Sequence, residues 1–178
     1  MKLGFIVEDD SHKAILERLV PRLTSASTPI RYAFIRLGGR GALSTAYTSA
    51  VVLLGKKYGH VFIVFDTYTG HPDGVAEQEE RVTAGVRQFG LNEDVTVCPA
   101  IPELASWLLA GLPDQNPAKF DPKASLSAMV GKAYSGVDDG PGLADRIDIQ
   151  LAEQRSPSFA KFAQTVRSVV MAEATAVR

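Results

Sequence analysis

The sequence predicts an α/β fold: a sheet of about four mainly parallel strands with helices on both sides, followed by a helical C-terminal tail. Three observations carry that prediction. Leu3-Gly4-Phe5-Ile6-Val7 and Val61-Phe62-Ile63-Val64-Phe65 are apolar runs, too short for helices and rich in β-formers. Unbroken by polar alternation, each suits a strand buried on both faces of a parallel sheet. Each run also ends in acid, Glu8-Asp9-Asp10 after the first and Asp66 after the second. Finally, strands alternate with helical patterns over residues 1–110, as right-handed βαβ crossovers require.

Taken in order, Ser11 is the expected cap of a helix over about His12–Thr24, with Pro21 near its end. Thr28-Pro29 breaks the chain, and Ile30–Leu37 reads as a second strand with imperfect alternation. Gly38-Gly39-Arg40-Gly41 is a turn, and a helix over about Leu43–Tyr58 follows, ended by Gly59. Val61–Phe65 is the third and most hydrophobic strand, and Asp66–Gly74 is a turn-rich loop. A helix over about Val75–Phe89 presents Glu77, Glu79, Glu80, Arg81 and Arg87 on a solvated face, and Gly90 closes it. Val95–Cys98 is a short fourth strand. Pro99 and Pro102 bound the link to Leu104–Leu109, where Trp107 reads as a core anchor. Beyond residue 110 the composition shifts. Three prolines in 111–122 precede helical pieces near Lys123–Ala133, Gly142–Glu153 and Ser158–Ala176, with a loop at 137–142. The expectation is an α/β core over 1–110 and a helical extension over 111–178 packed on it.

Composition bounds the function. Hydrophobic content of 46% and charged content of 22% suit an ordinary globular protein able to bury a core without staples. The lone Cys98 excludes an internal disulfide and fits a reducing cytoplasm. No apolar run reaches the length of a membrane span, and the N-terminal segment is not ordered like a signal peptide. A net charge of −1 gives no global basic field, so any nucleic-acid contact has to be local or through a metal.

Glu8 and Asp66 are the leading site candidates, because two acids at the ends of central strands face each other across the crevice where α/β sheets bind ligands. Either acid could instead be a helix-dipole charge or a loop cap. The same holds for Asp9 and Asp10. His12 and His71 lie near this crevice, but a lone His is usually structural or exposed. The Gly38–Gly41 turn follows a strand and opens a helix, so an anion could sit there with Arg36 and Arg40, although it matches no phosphate-loop pattern. Lys13 is a further candidate phosphate contact. Lys119, Lys123, Lys132, Arg155, Lys161 and Arg167 could line a nucleic-acid groove or be solubilising charges.

GFIVEDDSHKAIL, VFIVFD and PELASWLLA together resemble Toprim-like proteins of the OLD type, most closely the small stand-alone bacterial family DUF4276. The segment Ser156–Phe162 resembles that family's closing helix, so the resemblance covers nearly the whole chain. It implies a Toprim-like Rossmannoid fold. It also places Glu8 at the Toprim glutamate and Asp66 at the first aspartate of an Asp-x-Asp pair, positions that hold Mg²⁺ (or Mn²⁺). Hard cations want oxygen ligands, and phosphodiester cleavage needs charge neutralised on the reacting oxygens. The implied function is a metal-dependent nuclease acting on DNA or RNA, with Asp10 or Glu103 as the auxiliary acid. The family setting implies an ABC-type or SMC-like ATPase partner in bacterial defence. This chain departs from the pattern at Tyr68 (the second aspartate), Asp9 (a glycine) and Ala105 (a glutamate). Those departures imply the alternative, a catalytically degenerate module that binds a partner or nucleic acid without cutting it.

Overall fold

The computed structural model describes residues 1–24, 30–115 and 121–176, except the side chains of Arg40, Glu173, Ala174 and Ala176. Its centre is an all-parallel sheet of β1 (Lys2–Val7), β2 (Arg31–Arg36), β3 (His60–Asp66) and β4 (Val95–Ala100), in the order β2-β1-β3-β4. The two strands read as doubly buried, β1 and β3, are the inner pair. Their registers align Phe5 with Phe34 on one side and Phe62 on the other, and the three rings stack with centroids 5.1 and 5.2 Å apart. Helices cover both faces. They are α1 (Asp10–Leu23), α2 (Ala46–Gly55), α3 (Pro72–Gln88), α4 (Leu104–Ala110), α5 (Pro122–Val130), α6 (Gly140–Arg146), α7 (Ile149–Arg155) and α8 (Pro157–Ala176).

Strand alternation divides the core in two. Leu3, Phe5, Val7, Phe62 and Val64 pack with α1, α4 and the tail helices, whereas Ile6, Val61, Ile63 and Phe65 pack with α2 and α3. Gly4 lets α2 lie close to the sheet: a Cβ there would come within 2.8 Å of the Leu53 side chain. The tail is tied to the first face through Trp107, which is fully buried, stacks on Phe162 at 5.1 Å and donates its indole N–H to Ser158 Oγ at 2.8 Å. A side chain of that size buries on the order of 3 kcal/mol of transfer free energy.

Several boundaries differ from the sequence reading, each for a local reason. Asp9, not Ser11, caps α1: its carboxylate accepts the His12 backbone N–H, and Ser11 donates to the same oxygen. The expected helix over Leu43–Tyr58 is a 3₁₀ turn (Arg40–Thr45) followed by the shorter α2. It stops because Lys57 turns left-handed (φ +64°), and Gly59 then donates to the Lys2 carbonyl and leads into β3. α3 begins earlier, at Pro72, because proline suits a first helical turn. β4 runs on to Ala100 through Pro99, which an edge strand tolerates. The helix expected over Gly142–Glu153 is two, since Ile147 is extended and Asp148 caps α7 by accepting the Leu151 N–H. Gly90 and Gly131 close their helices with positive φ, as C-terminal glycines do. The Thr28-Pro29 break lies outside the described residues. No helix among the described residues is long and apolar enough to cross a membrane.

Candidate functional site

The strand order makes the site. From β1 the chain steps outward to β2, then returns across β1 to β3, so α1 and α2 leave on opposite faces. The C-terminal ends of β1 and β3 therefore flank a topological switch point, where open α/β sheets bind ligands. Alternation sends Glu8 towards the face of Ile6 and Asp66 towards the face of Phe62 and Val64. They meet because both strands end there: the Asp66 backbone N–H donates to Glu8 Oε2 at 3.2 Å.

Asp66 Oδ1 is held from two more directions, by the Leu104 N–H at 2.7 Å and by His12 Nε2 at 2.9 Å. The other ring nitrogen of His12, Nδ1, lies 2.9 Å from Asp9 Oδ1. His12 thus bridges two carboxylates from the first turn of α1. Burial of the ring opposes its charge, but the hydrogen bonds with Asp66 and Asp9 outweigh this and push its pKa up to about 9. Those bonds favour the protonated ring, in which both nitrogens donate. The bond to His12, helped by that of Ser11, holds the Asp9 carboxyl well below the usual carboxylate range despite partial burial. Glu8, His12 and Asp66 each offer a ligand atom within 4.8 Å of the others, and the three residues are only 2%, 1% and 4% exposed. Such a buried mixture of two carboxylates and an imidazole could hold a metal ion.

Tyr68 closes over Glu8. Its hydroxyl donates to Glu8 Oε1 at 2.8 Å, and its N–H donates to the Pro102 carbonyl at 2.7 Å. Burial and the Glu8 bond, with Asp66 and Asp9 also nearby, raise the pKa of the phenol, which remains a proton donor. Its backbone is left-handed (φ +54°), a conformation that costs a non-glycine residue ~1–3 kcal/mol.

The other residues read from the sequence sit elsewhere. Asp10 is exposed and paired with Arg36, so neither joins the buried group. Glu103 ends the link before α4, and its carboxylate pairs with Lys123 Nζ at 2.8 Å instead of joining Glu8 and Asp66. Burial opposes the Lys123 charge, but Glu103 outweighs it and raises the pKa, with Asp66 and Asp9 adding to the effect. Lys13 faces Glu17 at 3.8 Å on the exposed side of α1. Arg40 opens the 3₁₀ turn, and its side chain lies outside the described residues. In the glycine turn, Gly39 spends its N–H on the Glu8 carbonyl at 2.9 Å, which takes that amide away from any anion. Among the described residues, each cation of the candidate basic groove has a partner within the protein. Lys132 pairs with Asp139, Lys161 with Glu79 and Arg167 with Glu153; Arg155 donates to loop carbonyls, and Lys119 lies outside the described residues. A cavity of about 390 Å³ lies between the 3₁₀ turn, α2 and α3, lined by Leu43, Tyr47, Gln78 and Arg81; Gln78 donates to the Thr67 carbonyl next to Asp66.

His12 was the residue least visible in the sequence. Its one local signal is the Asp9…His12 spacing at a helix start, which puts the cap carboxylate on the ring. His71, by contrast, is exposed and only 3.9 Å from an exposed Asp73. Comparisons with family models, with curated proteins and with solved structures find no match.

Proposed function

We propose that this protein is a metal-dependent, nuclease-type enzyme acting on DNA or RNA phosphodiesters, with Glu8 and Asp66 as its central acids. The observation that carries the reading is that two buried acids meet at the adjoining ends of the inner strands, the Asp66 backbone N–H donating to the Glu8 carboxylate. The resemblance to OLD-type Toprim proteins supplies the reaction class and Mg²⁺ or Mn²⁺ as the ion. The donors fit: two fixed carboxylates suit a hard divalent cation. When bound, the ion supplies charge neutralisation on the phosphodiester oxygens. The chain itself does the positioning. Asp66 N–H and Tyr68 fix the two oxygens of Glu8, Leu104 N–H fixes Asp66, and Lys123 puts a positive charge at the rim. The test is plasmid nicking and RNA cleavage by wild type and Asp66→Ala, with Mg²⁺, with Mn²⁺ and with chelator. Metal-dependent cutting that disappears in Asp66→Ala is expected. No cutting by wild type in either ion overturns the reading for the isolated chain.

One observation favours a second reading, a Toprim-like module that binds a nucleic acid or an ATPase of the ABC or SMC type without cutting. The Tyr68 hydroxyl occupies the Glu8 oxygen that a second acid would share a metal with. Under this reading wild type retains labelled DNA or RNA intact in Mn²⁺, and Tyr68→Asp gains cleavage.

A further inference from the structure

We propose that His12 is the third ligand of this metal centre, and that its imidazole makes the site prefer a first-row transition-metal dication such as Mn²⁺ to Mg²⁺. This rests on the reading of a metal centre at Glu8 and Asp66. Three features of the structure point to it.

The first is aim. His12 Nε2 is directed at Asp66 Oδ1 at 2.9 Å, inside the group whose ligand atoms all lie within 4.8 Å of one another, and an ion bound there displaces the Nε2 proton to solvent and takes the freed lone pair.

The second is orientation. Asp9 Oδ1 takes Nδ1 at 2.9 Å, and the same oxygen accepts the His12 backbone N–H at 3.0 Å and Ser11 Oγ at 2.6 Å. A carboxylate on the far nitrogen is the device that fixes a metal-binding imidazole in tautomer and direction. Asp9 is thus a positioning residue, and the cap of α1 doubles as the support of the ligand.

The third is the donor set and its burial. Mg²⁺ takes oxygen ligands and keeps several waters. This group supplies a nitrogen, and its three residues are at most 4% exposed. Imidazole suits first-row transition metals such as Fe²⁺ and Zn²⁺, with Mn²⁺ at the weak end of that series, and is a poor match for Mg²⁺, which wants oxygen.

The experiment is titration of the purified full chain with Mn²⁺ and with Mg²⁺ by calorimetry, with pulsed EPR of the Mn²⁺-loaded protein. The expected result is Mn²⁺ affinity ~10-fold or more above that for Mg²⁺, with a nitrogen coupling that shifts when histidine is labelled with ¹⁵N. His12→Gln should abolish the coupling and shrink the Mn²⁺ to Mg²⁺ ratio. Asp9→Asn, which keeps the ring, should weaken Mn²⁺ by ~10–100-fold. Loaded wild type without nitrogen coupling, equal affinity for the two ions, or no binding of either would overturn the proposal. The EPR arm needs no variant, so it holds even if His12→Gln does not fold. The two readings also fail separately. A Mn²⁺ site with nitrogen coupling that cuts nothing removes the nuclease, whereas cutting in Mg²⁺ without nitrogen coupling removes the His12 ligand.

Discussion

Asp66 ends β3 and Glu103 follows the neighbouring strand β4, and both sit at the C-terminal edge of one sheet with little exposure. They differ in company. Asp66 Oδ1 accepts from a buried imidazolium and from the first backbone N–H of α4, while Asp66's own N–H reaches Glu8. Glu103 meets the ammonium of Lys123, a side chain that is 54% exposed. A buried ring held from behind by Asp9 is a rigid partner with one direction, whereas a half-exposed lysine is a mobile charge that water can replace. The position of an acid on the sheet therefore does not decide whether it belongs to a site; the rigidity of its partner does.

The sharpest way to break this comparison is Asp66→Ala. It strands the His12 charge and the Leu104 N–H in the core, and removing one partner of a buried pair costs ~3–5 kcal/mol. Chemical denaturation should show that loss, and metal binding should go with it. A cost below 1 kcal/mol would put Asp66 in the same class as Glu103. Next in size is the pH dependence. The His12 pKa stands at about 9 in the folded protein against an ordinary 6.5, so its contribution is full below 6.5 and is lost as pH rises to about 9. The Asp9 carboxyl is shifted the other way, so its contribution is present above its ordinary 3.8 and falls away in acid. Unfolding free energies should therefore form a plateau between these limits and drop by a few kcal/mol towards pH 9. His12→Gln should flatten the alkaline limb and leave any residual acid limb to other carboxylates.

How much of this was legible in the sequence follows the same division between local and distant partners. β1 and β3 were legible because burial on both faces leaves an unbroken apolar run, and Trp107 because a large indole amid leucines has few places but the core. Helix ends were less so. Periodicity carried the second helix past Lys56, yet a left-handed Lys57 ends it, and periodicity ran across Ile147-Asp148, where an Asp cap starts a new helix. Glu8 and Asp66 could be paired by their common place at strand ends. His12 could not, because the carboxylate that gives it meaning is 54 residues away. Lys123 comes from the tail, and nothing in its own neighbourhood points to Glu103.

A smaller effect is expected at Tyr68, which sharpens the comparison from the side of Glu8. Tyr68→Phe removes one charge-assisted hydrogen bond to Glu8 Oε1 but leaves the Asp66 N–H on Oε2, so ~1–2 kcal/mol should be lost. Part of that returns as easier entry to the centre, because Oε1 no longer has to shed a phenol before it can bind an ion. Calorimetry should then show tighter Mn²⁺ binding by Tyr68→Phe than by wild type even as thermal stability falls. Weaker binding would mean that the phenol orients Glu8 for the ion instead of covering it.

The smallest effect is reserved for Glu103. Glu103→Gln keeps the side-chain shape and releases Lys123 to solvent, and a pair with one exposed member is worth ~0–1 kcal/mol. Metal affinity should move by less than threefold, through the long-range charge alone, and that residual change should shrink in salt. The loss of binding in Asp66→Ala should persist at every salt concentration in the same titration, since it removes ligand atoms as well as charge. A Glu103→Gln variant that lost metal binding outright would place this acid in the coordination shell after all. Lys123 would then be the cation that fills its place in the absence of metal, as the His12 proton does for Asp66.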